Sequence, residues 1–229
     1  KMLATLTGDG CISANGTLPN YQLSSRQQQD LKAAIAYLHS KPNLELAGSE
    51  RIDSTFVRMN CYTCHERNKK GGVLEQRQAF FLTDQKEMGD EARIPPPLSD
   101  TGRKLQPSWL KDLLANGTKV RPYMFTRMPK FGEANVGHLA AEFSQVDQAK
   151  PVNHQTDAFS DKILKVTGRR LVGAKGFSCI KCHTFGNHKA TGVQSLDMTQ
   201  MTKRLRYDWF HKYVQDPVAL RPLTRMPSA

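Results

Sequence analysis

Cys61-Tyr62-Thr63-Cys64-His65 and Cys179-Ile180-Lys181-Cys182-His183 are the same pentad, Cys-x-x-Cys-His, written twice in a chain of 229 residues with only five cysteines. Two thiols three positions apart can each add to one vinyl group of a single porphyrin, and the imidazole that follows reaches the iron from one face. The spacing therefore predicts two haem c groups, one held through Cys61 and Cys64 and one through Cys179 and Cys182, with His65 and His183 as proximal iron ligands. Each imidazole must bind as the neutral form and needs an acceptor for its other ring N–H. A zinc site made from both Cys-x-x-Cys pairs would leave the two following histidines as coincidence, and structural zinc pairs usually lie closer in sequence. A thioredoxin-like pair opens a helix after a strand, and neither pentad follows a strand-like run. Plain disulfides are the remaining alternative.

Outward from the pentads, the chain repeats itself. Thr101–Leu110 (TGRKLQPSWL) matches Met201–Phe210 (MTKRLRYDWF) at an offset of 100, and Arg121-Pro122 answers Arg221-Pro222. Arg127-Met128-Pro129 then answers Arg225-Met226-Pro227, each Met lying 30 residues beyond its Leu98 or Leu196 anchor. Two homologous modules in tandem are the economical reading. They differ upstream of the anchor, where the first module carries about 20 extra residues within Asn68 to Arg93. A soft thioether suits haem iron and raises its potential, so Met128 and Met226 are the expected distal ligands. Met124 is the rival in the first module, and His138, His154, His188 and His211 are the rivals for a bis-His arrangement. Trp109 and Trp209 are expected against the haems, and Arg121 and Arg221 are candidate partners for haem propionates.

These features resemble the class I c-type cytochromes, two of them in tandem, over about residues 50–229. The resemblance implies a mostly α fold that wraps each haem, with His and Met axial ligands and single-electron transfer outside the cytoplasm. It also implies that the Pro97-Leu98 dipeptide supplies a proline carbonyl to the His65 N–H. The second module has Ser195-Leu196 instead, which leaves the His183 acceptor open. The first module continues into Asn135–Ala149, where Val136, Leu139, Ala140 and Phe143 follow a helical period. The second has no counterpart after Met226, and the expectation is a fragment of a longer protein.

The predicted organisation is an N-terminal helical segment over 1–48, a first domain over 49–150 and a second over 151–229. Residues 1–48 read as the tail of a preceding domain: Gly8–Asn20 is loop-like, Cys11 is the odd thiol, and Ser24 or Ser25 with Gln28 offers a capping box to a helix striped by Leu31, Ala34, Ile35 and Leu38. Helices are also expected over Ser54–Arg58, from Pro107 to Leu114 with Gly117 past the end, around Phe159–Arg170, and over Leu205–Val214 before Asp216-Pro217. Asp84, Glu87, Asp90 and Glu91 lack ordered ligand spacing and read as a solvated face rather than a Ca²⁺ site.

The net charge of +12 is concentrated in residues 151–229, with 13 basic against 5 acidic side chains. Such a face attracts an acidic protein; with no Arg-rich run or nucleic-acid motif, nucleic acid is not an expected partner. No apolar run approaches the length of a membrane span, and no signal pattern opens the chain. The expected function is electron transfer to redox partner proteins in a bacterial periplasm, with no catalytic residues and no bond-making chemistry of its own. The alternatives are a dihaem peroxidase-like enzyme, which needs an open distal position, and a haem-bearing attachment or sensing module among other domains of a larger enzyme.

Overall fold

The computed structural model describes residues 21–40, 45–117, 120–148, 159–222 and 224–228. Cys11, His154 and the Gly8–Asn20 loop lie outside the described residues. The chain is mostly helical, and its contacts divide it into two units, Lys1–Leu46 and Ala47–Ala229, with no further division between residues 150 and 151. No described helix is long and apolar enough to cross a membrane.

The first unit contributes one described helix, α1 (Ser25–Ser40), none of whose residues is buried. Its capping box is real but shifted by one residue. Ser24 Oγ accepts from the N–H of Gln27 at 3.3 Å, and Gln27 Oε1 accepts from the N–H of Ser24 at 2.8 Å. Gln28, expected in that role, donates instead to the Leu23 carbonyl. The reason is positional: with Ser24 as cap, the third helical residue is Gln27.

In the second unit the helices follow in chain order: α2 (Gly48–Arg58), α3 (Asp90–Arg93), α4 (Thr101–Lys104), α5 (Pro107–Asn116), α6 (Glu133–Val136), α7 (Leu139–Val146), α8 (Asp161–Val172), α9 (Met201–Arg204), α10 (Tyr207–Gln215) and α11 (Pro217–Leu220). The sequence period over 135–149 is realised as two short helices, α6 and α7, rather than one. The main core joins α2, α5 and α7 through Ile52, Phe56, Leu110, Leu114, Leu139 and Phe143. Phe56 meets the Phe143 ring edge-on at 5.9 Å and the Tyr62 ring at 5.0 Å. Glu142 on α7 caps the start of α2, accepting from the Gly48 N–H at 2.8 Å and pairing with Arg51 at 3.2 Å. Helix α4 crosses α7 so closely that a Cβ on Gly102 would lie 2.0 Å from the Phe143 carbonyl oxygen. At the repeat-equivalent position stands Thr202 on α9, and no counterpart of α7 follows it among the described residues.

The two segments that match at an offset of 100 pair with each other in this unit. Leu105 and Leu205 form an antiparallel bridge; the Gln106 N–H donates to Arg204 O and the Arg206 N–H to Lys104 O, both at 2.9 Å. Residues 100 apart in sequence thus exchange the same bonds, which is how an isologous contact between two copies of one module looks. The modules differ in their covering. Helix α2 is roofed by α7, whereas α8, the leading helix of the second module, buries none of its residues.

Candidate functional site

Both pentads fold alike. Each begins after a residue in the left-handed region, Asn60 at φ 57° and Ser178 at φ 59°, and makes one short 3-10 turn. The turn is closed by the N–H of the histidine, which donates to the first cysteine's carbonyl at 2.9 Å for His65 and 2.8 Å for His183. Cys61, Cys64, Cys179 and Cys182 are all unpaired thiols, and burial pushes the Cys61 and Cys179 thiols up from their usual range, keeping them protonated at neutral pH. Among the described residues no three His, Cys, Asp or Glu side chains converge as a metal cluster.

Each imidazole is held by a backbone carbonyl. His65 Nδ1–H donates to Pro96 O at 2.8 Å and His183 Nδ1–H to Leu196 O at 3.1 Å, since a carbonyl can only accept. The acceptor for His65 is therefore Pro96 and not Pro97. The Leu98 N–H is tied to Glu66 O at 2.7 Å, and that leaves the carbonyl two residues earlier facing the ring, with Pro97 exposed. The second module, lacking the prolines, uses Leu196 itself. In both, Nδ1 is fixed as the donor and Nε2 is left for a ligand.

Burial lowers both histidine pKa values below the ordinary 6.5, more than the carbonyl bonds raise them. The unfolded chain then binds protons that the folded chain refuses as pH falls through about 6.5. Stability is accordingly complete above that pH and declines below it. We expect a lower denaturant midpoint at pH 5 than at pH 7.5, and an unchanged midpoint would show that these imidazoles are not buried as described.

Around the module contact lies a group of partly buried cations: Lys104 and Arg204, and Arg121 and Arg221, each pair 100 residues apart. Burial first, then the neighbouring guanidinium groups, pulls Arg204 down to about 10 and Lys104 well below the usual lysine range. Glu91 is the carboxylate that acts on Lys104 and Arg121 among the described residues, and it pairs with Arg221 at 3.2 Å. Lys104 also sits 4.6 Å over the Trp209 ring, which stacks on Tyr213. The Trp109 Nε1–H is buried without any hydrogen-bond partner. Four cations beside the single carboxylate of Glu91, and an orphaned donor, suit further anionic acceptors. No known protein family, curated protein or solved structure matches this chain. The site is therefore interpreted from its own geometry.

The two expected distal methionines differ in setting from their rival. Met128 is 38% exposed and Met226 partly exposed, while Met124 is buried at 6% against Ala92 and Tyr123, flanked by Met88 and Leu196. His138 is committed elsewhere, with Nε2 2.9 Å from the Thr55 hydroxyl.

Two features had no signal in the sequence. The Arg67 guanidinium, two residues past His65, donates to Leu98 O at 2.6 Å and to Asp147 Oδ1 at 2.7 Å. The acidic segment over 84–91 is not uniformly a solvated face: Asp84, Glu87 and Asp90 are exposed, but Glu91 turns inward to Arg221. The ion pair to Arg221 offsets part of the cost of removing that carboxylate from water.

Proposed function

We propose that this chain is a dihaem electron-transfer protein whose two modules are class I cytochrome c domains, as a subunit or part of a larger redox protein. The observation that carries the reading is the duplication of one geometry: a Cys-x-x-Cys-His turn with two free thiols and a histidine whose Nδ1–H is pinned to a carbonyl, at 61–65 and again at 179–183. The surroundings fit the same group. Trp109 Nε1 and the cations Lys104, Arg121, Arg204 and Arg221 match the carboxylates of haem propionates in charge and donor type. In residues 159–228 only Ala190 and Pro217 are buried among the described residues, so this module needs apolar bulk beyond its own side chains, which a porphyrin brings.

Each haem would supply a one-electron couple. The polypeptide does the rest. Cys61, Cys64, Cys179 and Cys182 hold the groups covalently, and His65 and His183 present Nε2 in a fixed tautomer. Met128 and Met226 complete the ligand sets. Met128 is preferred to Met124 because it is the repeat equivalent of Met226 and because the Met124 side chain is already packed in protein. The cations favour the electron-rich state beside them and so raise the potential. Thiol attachment of this kind belongs outside the cytoplasm, and a bacterial periplasm is the compartment we assign.

The test is the visible spectrum of the dithionite-reduced protein before and after carbon monoxide. Two haems with no spectral change support the carrier. A change at one haem would reveal an open position and favour the peroxidase-like reading instead. The basic surface of residues 151–229 should also show itself in kinetics. Electron transfer to an acidic partner is expected to slow several-fold as ionic strength rises and the Debye length shrinks from about 30 to about 8 Å. A salt-independent rate would contradict docking through that face.

A further inference from the structure

We propose that Glu91, in the segment of the first module that the second lacks, positions Met226, the distal ligand of the second module. This rests on the reading of Met226 as an axial ligand. The Glu91 side chain is 19% exposed and grips residues 221–225 at three points. Its carboxylate pairs with Arg221 Nε at 3.2 Å, accepts the Thr224 hydroxyl at 3.1 Å, and accepts the Arg225 N–H at 3.4 Å. The Arg225 guanidinium donates to the backbone carbonyl of Glu87, two residues before Gly89, which lies at φ +63° with the Arg225 side chain beside it.

The path from Glu91 to Met226 runs through one hydroxyl. Thr224 Oγ1 lies 3.1 Å from Glu91 Oε2, 3.2 Å from the Tyr213 hydroxyl and 3.4 Å from the Met226 N–H. A hydroxyl has one proton to give and two lone pairs to accept with. Toward an ionised carboxylate it must donate, so it accepts from Tyr213 and from Met226. Glu91 thereby sets the orientation of the hydroxyl that receives the Met226 amide. Charge assistance makes that bond and the Arg221 pair stronger than neutral ones. A thioether is a weak ligand, and its hold depends on how well the chain on either side is ordered before it binds. In this chain the order of the second module's ligand strap comes from the first module.

The experiment uses the haem-loaded chain and counts carbon monoxide taken up by the reduced protein. The parent is expected to take up none. Glu91→Ala is expected to take up one per chain, Glu91→Gln a fraction of one, and Thr224→Val close to one. Glu87→Gln should match the parent, because only the carbonyl of Glu87 is used. Hydrogen exchange should quicken at the amides of residues 225 and 226 and stay unchanged across α2. A parent and a Glu91→Ala variant that both take up none would overturn the positioning role while leaving the His/Met reading intact. A parent that takes up two would overturn both. Loss of exchange protection throughout the Glu91→Ala variant would assign Glu91 a purely structural role.

Discussion

Replacing Asp147 by alanine is expected to cost the 47–148 region roughly 3–5 kcal/mol, because it strands a buried guanidinium without its carboxylate. Arg67 and Asp147 are among the most enclosed charged side chains of the unit, 4% and 6% exposed, with Arg67 Nη2 and Asp147 Oδ1 2.7 Å apart. The second carboxylate oxygen accepts the Gly102 N–H at 2.8 Å, so Asp147 also fixes the start of α4 against α7. Arg67 covers the Phe143 ring at 4.8 Å and holds the Leu98 carbonyl, on the far side of Pro97 from the acceptor of His65. Removing Asp147 should therefore lower the denaturant midpoint sharply and loosen His65 with it. The variant Asp147→Asn, which keeps the shape and one acceptor oxygen, should lose less. A midpoint within about 0.5 kcal/mol of the parent for Asp147→Ala, the range of ordinary surface changes, would mean that Arg67 finds water or another acceptor.

The second large effect concerns the distal ligands. Met226→Ala and Met128→Ala are each expected to open one haem of the reduced protein to carbon monoxide and to lower the potential of that haem, since a thioether ligand raises it. Axial ligands command a span of roughly 0.8 V across haem proteins, and loss of one should move the affected couple by a visible part of it. Met124→Ala makes the discriminating control. Buried against Ala92 and Tyr123, Met124 should cost stability when truncated and leave both haems closed to carbon monoxide. The reverse pattern, with Met124→Ala opening a haem and Met128→Ala having no effect, would transfer the ligand assignment to Met124.

The contrast between these residues shows what a sequence displays and what it hides. The pentads, the offset of 100 and the helices around Phe56, Trp109 and Trp209 were all readable because each is a local pattern or a repetition of one. Pro107 and Gly117 bracket α5 as expected, with Gly117 at φ 70°. Which carbonyl receives His65 was not readable: Pro96 and Pro97 are adjacent and chemically identical, and the choice is made by Leu98 bonding to Glu66. Arg67 and Asp147 stand 80 residues apart, and Glu91 and Thr224 133 apart, with no period or motif joining them. Such pairings exist only once the fold has formed. Gly102 belongs with them, since a glycine at a crossing of two helices looks in sequence like any other glycine. The insertion over 68–93 was visible as a length difference, but its use as a clamp on the second module depends on the inward turn of one acidic residue among four.

Covalent attachment of two haems is the claim on which the rest stands, and the intact mass of the denatured chain, produced in a host that matures c-type cytochromes, tests it most directly. The account predicts a polypeptide heavier by two haems with Cys61, Cys64, Cys179 and Cys182 all unreactive toward thiol reagents, reduced to one haem when Cys179 and Cys182 are replaced by alanine. An unmodified mass with those four thiols free to react would contradict it.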